Sequence, residues 1–373
     1  NFSYRFETRL DGIRLSQPML DIDTVAAGGG SICSLDGNRL RVGPESAGAD
    51  PGPACYGNGG PLTLTDVNVY LGYVPRFPFP LDFTAVHNRM ETLRDELYDV
   101  TGQRLSLHEL AHGFRRIACE AMAASVRKIS IARGFDTRDH TLCAFGGAGP
   151  QHACEIAELL DINTILIHPL ASVLSARGLS VAPVKIIQEK PVFDVFRARF
   201  HHEWLGAMKE LETTARETIS EQNLPNDKCY VRQMADLRYL GQSHFLTIDF
   251  DSLEELEELF HQQHQSFYGY SFPDRGIEIV ALRIELTGHL ETPELPRFKK
   301  AITEASPVSL NNVFFGDKEL SVPVYHREQL MPEHGVTGPA LISGPDTSIL
   351  IAPSWACKVN SNQMIILTRN TCE

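Results

Sequence analysis

The sequence has 373 residues and a net charge of −13, because 47 acidic residues outnumber 34 basic ones. This balance argues against a nucleic-acid partner, since phosphate binding requires clustered positive charge. No apolar run approaches the roughly 20 residues that a membrane-crossing helix needs, so no membrane partner is expected either.

The eight cysteines include no CxxC pair, and no signal peptide is visible. We therefore expect reduced thiols and a cytoplasmic location. The chain begins at Asn1 and not at Met, inside a strand-like alternation. This start predicts that the sequence is the C-terminal portion of a longer protein.

The first stretch of the chain predicts strands followed by a glycine cluster. Residues 1–25 alternate like a β-hairpin around the turn Asp11-Gly12. Residues 28–30 are consecutive glycines in an apolar context. They indicate either close approach of a ligand or another segment, or a bulge or tight turn, and composition favours neither.

A long Gly- and Pro-rich loop occupies residues 42–61. A loop of this length inside a compact domain is typically functional or disordered, and Pro53, Cys55 and Tyr56 could anchor it. Cys55 could be a nucleophile, but no His lies near it in sequence. A small buried thiol is therefore the favoured interpretation.

A short helix is predicted directly after this loop. Thr65 or Asp66 can act as its N-cap, which is the favoured interpretation. The alternative is that Asp66 is a magnesium or substrate ligand.

Two amphipathic helices are predicted next, over 83–97 and from Leu107 to about 133. The second opens with His108, Glu109 and His112, which match the HExxH pattern of zinc metalloproteases. The pattern is short and no third ligand is indicated. A histidine pair without a metal is therefore favoured, and no metal site is predicted from these residues.

The centre of the chain predicts a βαβ unit with a Gly-rich first turn. An apolar run at 142–145 breaks at Gly146-Gly147-Ala148-Gly149-Pro150, a helical pattern starts at about 150, and a second strand follows at 164–168. Such turns allow close backbone approach and direct N–H groups at an anion. From the glycines alone, a tight strand-to-helix turn is the simpler interpretation.

The pattern changes near Val184, so a domain boundary is placed at about 185. Beyond it, helices and strands alternate as in an α+β domain, and 308–367 contains several short strands. No catalytic constellation is visible in this half. Its expected role is structural or in subunit contact.

Several segments resemble a known family. Phe145 to Pro150 resembles the adenosine motif of the ATPase superfamily that includes actin, heat-shock chaperones and sugar kinases. The longer line FGGAGPQHACEIAELLDINTILIHPLASVLSARGLSVAPV, the stretch from Ala26 to Gly72, and GPALISGPDTSILIAP resemble the hydantoinase A/5-oxoprolinase family. The resemblance covers nearly the whole chain.

This resemblance implies a fold and a division into domains. The fold is α/β, with an actin-like (ribonuclease H-like) ATPase lobe that carries a helical insert, followed by a β-rich α+β domain. The expected domains are 1–185, the C-terminal part of the ATPase domain, and 186–373.

The implied activity is ATP-dependent hydrolysis of a cyclic amide, 5-oxoproline or a hydantoin, through phosphorylation of the lactam carbonyl oxygen. ATP and Mg²⁺ are the implied cofactors. A hydantoinase B-like subunit or domain is the implied partner, in a homo- or hetero-oligomer. Two alternatives remain open: the ATP-using subunit of an acetone- or acetophenone-type carboxylase, and a non-catalytic fragment that docks a partner subunit.

The resemblance also implies binding residues. The expected cofactor-binding residues are Gly146, Gly147, Ala148, Gly149, Gly28, Gly29 and Gly30. The catalytic residues remain unassigned, with Asp66 and His152 as candidates, and His152 could either face the cleft or bond backbone in the first helical turn. The superfamily's Gly-rich phosphate hairpins are not recognised in 1–141. We therefore expect the chain alone not to hydrolyse ATP.

Overall fold

A computed structural model describes residues 4–5, 8–10, 13–15, 19–20, 22–131, 134–197, 201–222, 224, 228–288 and 294–370. The chain forms two compact units, Asn1–Leu174 with Leu295–Glu373, and Ser175–Glu294. In the described part of the chain, no helix is long and apolar enough to cross a membrane.

The first unit begins with short strand pairs. Its early strands are β1 (Tyr4–Arg5), β2 (Thr8–Leu10), β3 (Ile13–Leu15), β4 (Met19–Leu20), β5 (Ser31–Asp36) and β6 (Arg39–Ser46). β2 and β3 pair antiparallel, as the hairpin pattern predicts, while the predicted turn Asp11-Gly12 lies outside the described residues. β5 and β6 form a second antiparallel hairpin, which residues 28–30 enter directly.

Four helices follow in this unit. They are α1 (Leu64–Tyr70), α2 (Phe83–Thr101), α3 (Leu107–Ile129) and α4 (Gly149–Leu159). α3 begins at a capping box, in which Ser106 and Glu109 bond each other's backbone N–H groups. Leu110, Phe114 and Ala118 on the predicted apolar face of α3 are fully buried, in a core shared with α1 and α2.

The predicted βαβ unit is confirmed. β7 (Leu142–Cys143) precedes α4, and β8 (Thr164–Ile167) pairs parallel with β7. The first strand is shorter than the apolar run 142–145, although the Ala144 N–H still donates to the Leu166 carbonyl before the chain turns at Gly146.

The last part of the chain returns to the first unit. Its strands are β13 (Ser309–Phe315), β14 (Lys318–His326), β15 (Gly335–Thr337), β16 (Ala340–Ser343), β17 (Ser348–Ile351), β18 (Trp355–Val359) and β19 (Ile365–Arg369). β19 pairs antiparallel with β8, which gives a five-stranded sheet in the order β15-β18-β19-β8-β7. A four-stranded sheet has the order β13-β14-β16-β17.

The second unit is an α+β body with its own apolar core. Its elements are α5, which starts in the first unit (Leu174–Val181), β9 (Val184–Val195), α6 (His201–Ser220), β10 (Cys229–Tyr239), β11 (Leu246–Asp249), α7 (Leu256–Tyr268) and β12 (Ile277–Gly288). The sheet is antiparallel in the order β11-β10-β12-β9.

The compact units do not follow the expected division into 1–185 and 186–373. The physical reason is the β8–β19 pairing, which buries Ile165 and Leu367 in one core with α4. Spatially, 295–373 therefore belongs with the first half of the chain. The boundary near 185 stays a prediction about segments of sequence.

Candidate functional site

A cavity of about 320 Å³ lies in the first unit, beside the Gly-rich turn. Its wall comes from Tyr56, Thr65, the segment from Val74 to Pro78, the start of α4 and the loop from Gly344 to Ser348. This size is at the lower end of the range of small-molecule sites. Because the predicted Gly-rich turn forms part of its wall, this cavity is the candidate binding site.

The two glycine clusters of the sequence come together beside this cavity. Of the predicted binding residues, Gly147 and Ala148 line the cavity, whereas Gly28, Gly29, Gly30, Gly146 and Gly149 do not. The Gly29 carbonyl accepts a hydrogen bond from the Thr65 backbone N–H at 2.8 Å. A Cβ placed on Gly29 would lie 2.7 Å from Thr65 Oγ1 and 3.5 Å from the Cβ of Ala148. Thr65 and Ala148 both line the cavity. Glycine at position 29 thus lets two parts of the wall approach each other.

Gly146 and Gly147 require glycine for different reasons. Gly146 has a φ of 89°, which L side chains rarely adopt, and its N–H donates to the Ala171 carbonyl at 2.7 Å. Gly147 does not have a positive φ, but a Cβ there would lie 3.3 Å from the Asp346 carbonyl oxygen. The Gly147 carbonyl also accepts from Thr347 Oγ1 at 3.1 Å. The turn is therefore fixed against the loop 344–348.

α4 begins at the cavity wall. Its N-cap, Ala148, gives no side-chain cap, and Pro150 follows in the first turn. Uncapped N–H groups and the positive end of the helix dipole favour an anionic or polar ligand at such a position.

Gln151 is the residue of α4 that lines the cavity and also belongs to a buried polar cluster. Its Oε1 accepts from Asn68 Nδ2 at 2.8 Å, and its backbone carbonyl accepts from Arg115 Nη2 at 2.6 Å. Arg115 is 4% exposed and also pairs with Glu155 at 3.0 Å. The guanidinium therefore connects α3 to the first turn of α4.

His152 does not line the cavity, and its ring bonds side chains and not backbone. Nδ1 lies 3.1 Å from Arg115 Nη1 and 3.5 Å from Cys119 Sγ, while Nε2 lies 3.1 Å from Asn68 Nδ2. Burial and the Arg115 charge hold the pKa of His152 well below its usual value. A ring that stays neutral inside the core is not placed to exchange protons with a ligand.

Asp66 is fully buried and holds the preceding loop together. Its Oδ2 accepts from the backbone N–H groups of Ala54 and Thr63 and from the Thr63 hydroxyl, at 2.7–3.0 Å. Its Oδ1 accepts from the Cys55 N–H at 2.7 Å. Thr63 is the N-cap of α1 and Asp66 its third residue, so the expected cap at residue 65 or 66 is corrected to a capping box. The carboxylate faces backbone donors and not the cavity.

The other sequence candidates are structural in their contacts. Burial and the Asp66 hydrogen bond raise the pKa of the Cys55 thiol, which is inaccessible to solvent. Glu109 caps α3, and the ring of His108 packs at a tilt against Phe314 with centroids 3.9 Å apart. Among the described residues no group of His, Cys, Asp and Glu could hold a metal ion.

Several residues of the site were not among the binding residues predicted from the sequence. The C-terminal half was expected to be structural, yet Asp346, Thr347 and Ser348 line the cavity. Asn68 lies on the predicted short helix and Arg115 on the second predicted amphipathic helix, and they meet Gln151 from 83 and 36 positions away. The turn Gly344-Pro345 was the available signal, since such dipeptides mark loops between strands.

Comparison with known proteins gives consistent matches. Residues 1–188 match the family model described as hydantoinase/oxoprolinase, and 197–370 match that of the hydantoinase/oxoprolinase C-terminal domain. The chain is 34% identical to a 5-oxoprolinase of Saccharomyces cerevisiae, over 99% of this chain and 30% of the relative. It is 30% identical to the caprolactamase subunit alpha of Pseudomonas jessenii, over 95% of this chain and 53% of that one.

Two solved structures share the fold. The ATP-dependent caprolactamase from Pseudomonas jessenii matches with a TM-score of 0.80 and 28% identity, over 96% of this chain and 54% of that one. A nucleotide-free acetone carboxylase matches with a TM-score of 0.81 and 20% identity, over 99% of this chain and 55% of that one. The chain thus spans between about a third and a half of the proteins it matches. The expected fold class, an α/β actin-like ATPase lobe with a helical insert and a β-rich α+β part, is confirmed.

Proposed function

Because the chain belongs to the hydantoinase/oxoprolinase family, we propose that its cavity binds the adenosine part of ATP in an enzyme that opens a cyclic amide. The single observation that carries this proposal is that both glycine clusters adjoin one cavity: Gly147 lines it, and Gly29 lies directly against the lining residues Thr65 and Ala148. The relatives named 5-oxoprolinase and caprolactamase supply the class of substrate.

The lining has the chemistry that a nucleoside needs. The rings of Tyr56 and Phe77, with centroids 5.7 Å apart, offer apolar surface to a base. Arg76 and the start of α4 offer positive potential, and Thr347 and Ser348 offer hydroxyls. Residues 28–30, which lead into the β5–β6 hairpin next to Thr65, are the proposed approach for the phosphates.

The nucleotide would supply an activating phosphoryl group. An amide carbon is a poor electrophile because of resonance, and a phosphorylated carbonyl oxygen makes that carbon open to attack by water. The contribution proposed for this chain is to bind and orient the nucleotide and to exclude water around it.

Mg²⁺ is proposed to enter with the triphosphate. It demands octahedral oxygen ligands, retains several waters and uses one or two carboxylates with substrate phosphates. Asp346 is an acidic residue of the cavity wall. The carboxylate of Asp66, in contrast, is already saturated by backbone and hydroxyl donors.

The active enzyme is proposed to include a hydantoinase B-like subunit or domain. This proposal rests on the relative that is named as an alpha subunit and on the share of the relatives that this chain spans. Phosphate release from ATP by the complete protein, stimulated by 5-oxoproline, a hydantoin or caprolactam, would identify the cyclic amide. Dependence of that stimulation on bicarbonate would instead indicate a carboxylase.

A pair of glycine substitutions tests the proposed nucleotide site. In Gly147→Val the new Cβ lies 3.3 Å from the Asp346 carbonyl, and its methyl groups must occupy cavity space. We expect ATP affinity, measured by calorimetric titration of the complete protein, to fall at least about 10-fold, since overpacking of this kind costs on the order of 1–3 kcal/mol.

Gly146→Ala is the matched control. Its Cβ would meet no atom within 4 Å, but a φ of 89° strains any L residue, so stability should fall by about 1–2 kcal/mol. If Gly147→Val binds ATP like the wild type and melts at the same temperature, the glycines only form a turn and the nucleotide site lies elsewhere.

A further inference from the structure

Three buried side chains form a hydrogen-bond chain that ends at the cavity. Arg115 Nη1 donates to Asn68 Oδ1 at 2.8 Å. Asn68 Nδ2 then donates to Gln151 Oε1 at 2.8 Å. Of the three residues, only Gln151 lines the cavity. A buried positive charge is thus connected to one polar group in the wall.

The direction of every bond in this chain follows from its first member. A guanidinium has donors and no acceptor, so the Asn68 atom that faces Arg115 must be the amide oxygen. The Asn68 amino group then faces Gln151, and the Gln151 atom that receives it must also be an oxygen. Within the described chain no group accepts a hydrogen bond from Gln151 Nε2. The end of Gln151 that remains for a ligand is therefore a donor.

Arg115 cannot easily turn away from this arrangement. Its Nε donates to Glu155 at 3.0 Å, and its Nη2 donates to the Gln151 carbonyl at 2.6 Å. Its guanidinium carbon lies 4.8 Å from the centre of the Tyr73 ring. Each of the three guanidinium nitrogens thus donates a hydrogen bond, and the orientation of Asn68 is fixed in the folded state.

We infer that Gln151 is a specificity-determining residue that donates a hydrogen bond from its amino group to an acceptor atom of the bound ligand. Asn68 and Arg115 act as positioning residues, because they set which end of the Gln151 amide faces the cavity. This inference rests on the proposed function in one respect: ATP, with acceptor nitrogens on its base and oxygens on its ribose, is the probe. A ligand with a donor at the same place would be disfavoured.

The decisive variant is Asn68→Asp, because residue 68 does not itself line the cavity. An aspartate has only acceptors, so one oxygen keeps Arg115, while the other faces His152 Nε2 and attracts Gln151 Nε2 in place of Oε1. The Gln151 amide then turns and presents its oxygen to the ligand. We expect ATP affinity to fall about 10-fold, as for loss of a buried hydrogen bond that leaves an acceptor facing an acceptor. Gln151→Met should give a similar loss.

The double variant Asn68→Asp/Gln151→Met separates a positioning effect on Gln151 from a general perturbation of the structure. In a Gln151→Met background, Asn68→Asp should alter ATP affinity by less than about 2-fold, because the group through which it acts is gone. If Asn68→Asp weakens binding by the same factor in both backgrounds, its effect is structural and the inference is overturned. Asn68→Ala, which frees the amide without reversing it, should give a smaller loss, and it replaces Asn68→Asp in the cycle if the aspartate variant does not fold.

A control and a comparison complete the experiment. Thr137→Val removes a buried hydrogen bond to the Leu160 carbonyl in the same unit but does not touch the cavity wall, so ATP affinity should not change. If Gly147→Val weakens ATP binding and Gln151→Met does not, the inference is wrong while the proposed function stands. If neither substitution weakens it, ATP does not occupy this cavity and both are wrong.

Discussion

Asp66→Asn distinguishes a structural carboxylate from a ligand. The aspartate is fully buried and receives hydrogen bonds from three backbone N–H groups and one hydroxyl. In the variant, the amide oxygen would take the place of Oδ2, where three of these donors converge. The amino group would then face the Cys55 N–H, whose nitrogen lies 2.7 Å from Oδ1.

The magnitude follows from these contacts. Hydrogen bonds to a charged acceptor contribute about 1.5–3 kcal/mol each, and a buried donor left opposite another donor costs about 1–3 kcal/mol. Three bonds weakened and one lost give a destabilisation of about 3 kcal/mol or more. For a unit of this size, that corresponds to a fall in melting temperature of roughly 10 °C.

The assay combines urea unfolding with thiol labelling. Asp66→Asn should lower the free energy of unfolding and speed the reaction of Cys55, which is inaccessible in the folded chain, while the exposed Cys143 serves as an internal reference. Glu109→Gln is the matched control, because it occupies the same capping-box position in α3 but is exposed to solvent. The free energy of unfolding of Glu109→Gln should stay close to that of the wild type.

The opposite result would refute the reasoning. If Asp66→Asn unfolds like the wild type and labels no faster at Cys55, yet loses ATP-dependent turnover, then Asp66 is a ligand. In that case the loop must open in the active enzyme, and the hydrogen bonds to Ala54 and Thr63 must be exchanged for bonds to substrate or metal.

Two further predictions concern the cluster around Arg115. Arg115→Met should lower the free energy of unfolding by about 3 kcal/mol in urea titrations, since the acceptors Asn68 Oδ1 and Gln151 O lose their donor. Glu155→Gln should lower it less, because the Glu155 side chain is 32% exposed. Equal losses for the two variants would contradict this account. His152→Gln should flatten the fall of the unfolding free energy toward acid pH. The pKa of His152 is depressed in the folded chain, so its contribution is present above the unfolded pKa of about 6.5 and is lost below it, by up to about 1.4 kcal/mol per pH unit. Identical wild-type and variant slopes between about pH 5 and 6.5 would show that His152 is already protonated in the folded chain.

Local sequence patterns predicted the βαβ unit well. The apolar run before Gly146, the helix after Pro150 and the strand from Thr164 each depend on residues within a few positions of one another. Periodicity and glycine placement record such local preferences directly. The Gly-rich turn was therefore located correctly, even though its ligand role stays a prediction.

Long-range pairing was not predictable in the same way. The strand Ile365–Arg369 is an ordinary apolar run, and nothing in it identifies Thr164–Ile167 as its neighbour. Burial of Arg115 is a similar case, because its partner Glu155 is 40 positions away and the charge looks solvent-facing on a helical pattern. Both features depend on contacts that form only in the folded chain, and both help to position the cavity.

The glycines of the two clusters beside the cavity can be sorted by what the folded chain itself requires. At Gly29 a side chain would collide with Thr65, and at Gly146 the backbone needs a positive φ. At Gly28 and Gly149 a Cβ would meet no atom within 4 Å, and neither residue has a positive φ. The fold gives no steric reason for glycine at these two positions. Under the proposed function, the reason is the close approach of the nucleotide to the backbone that precedes β5 and to the backbone that opens α4.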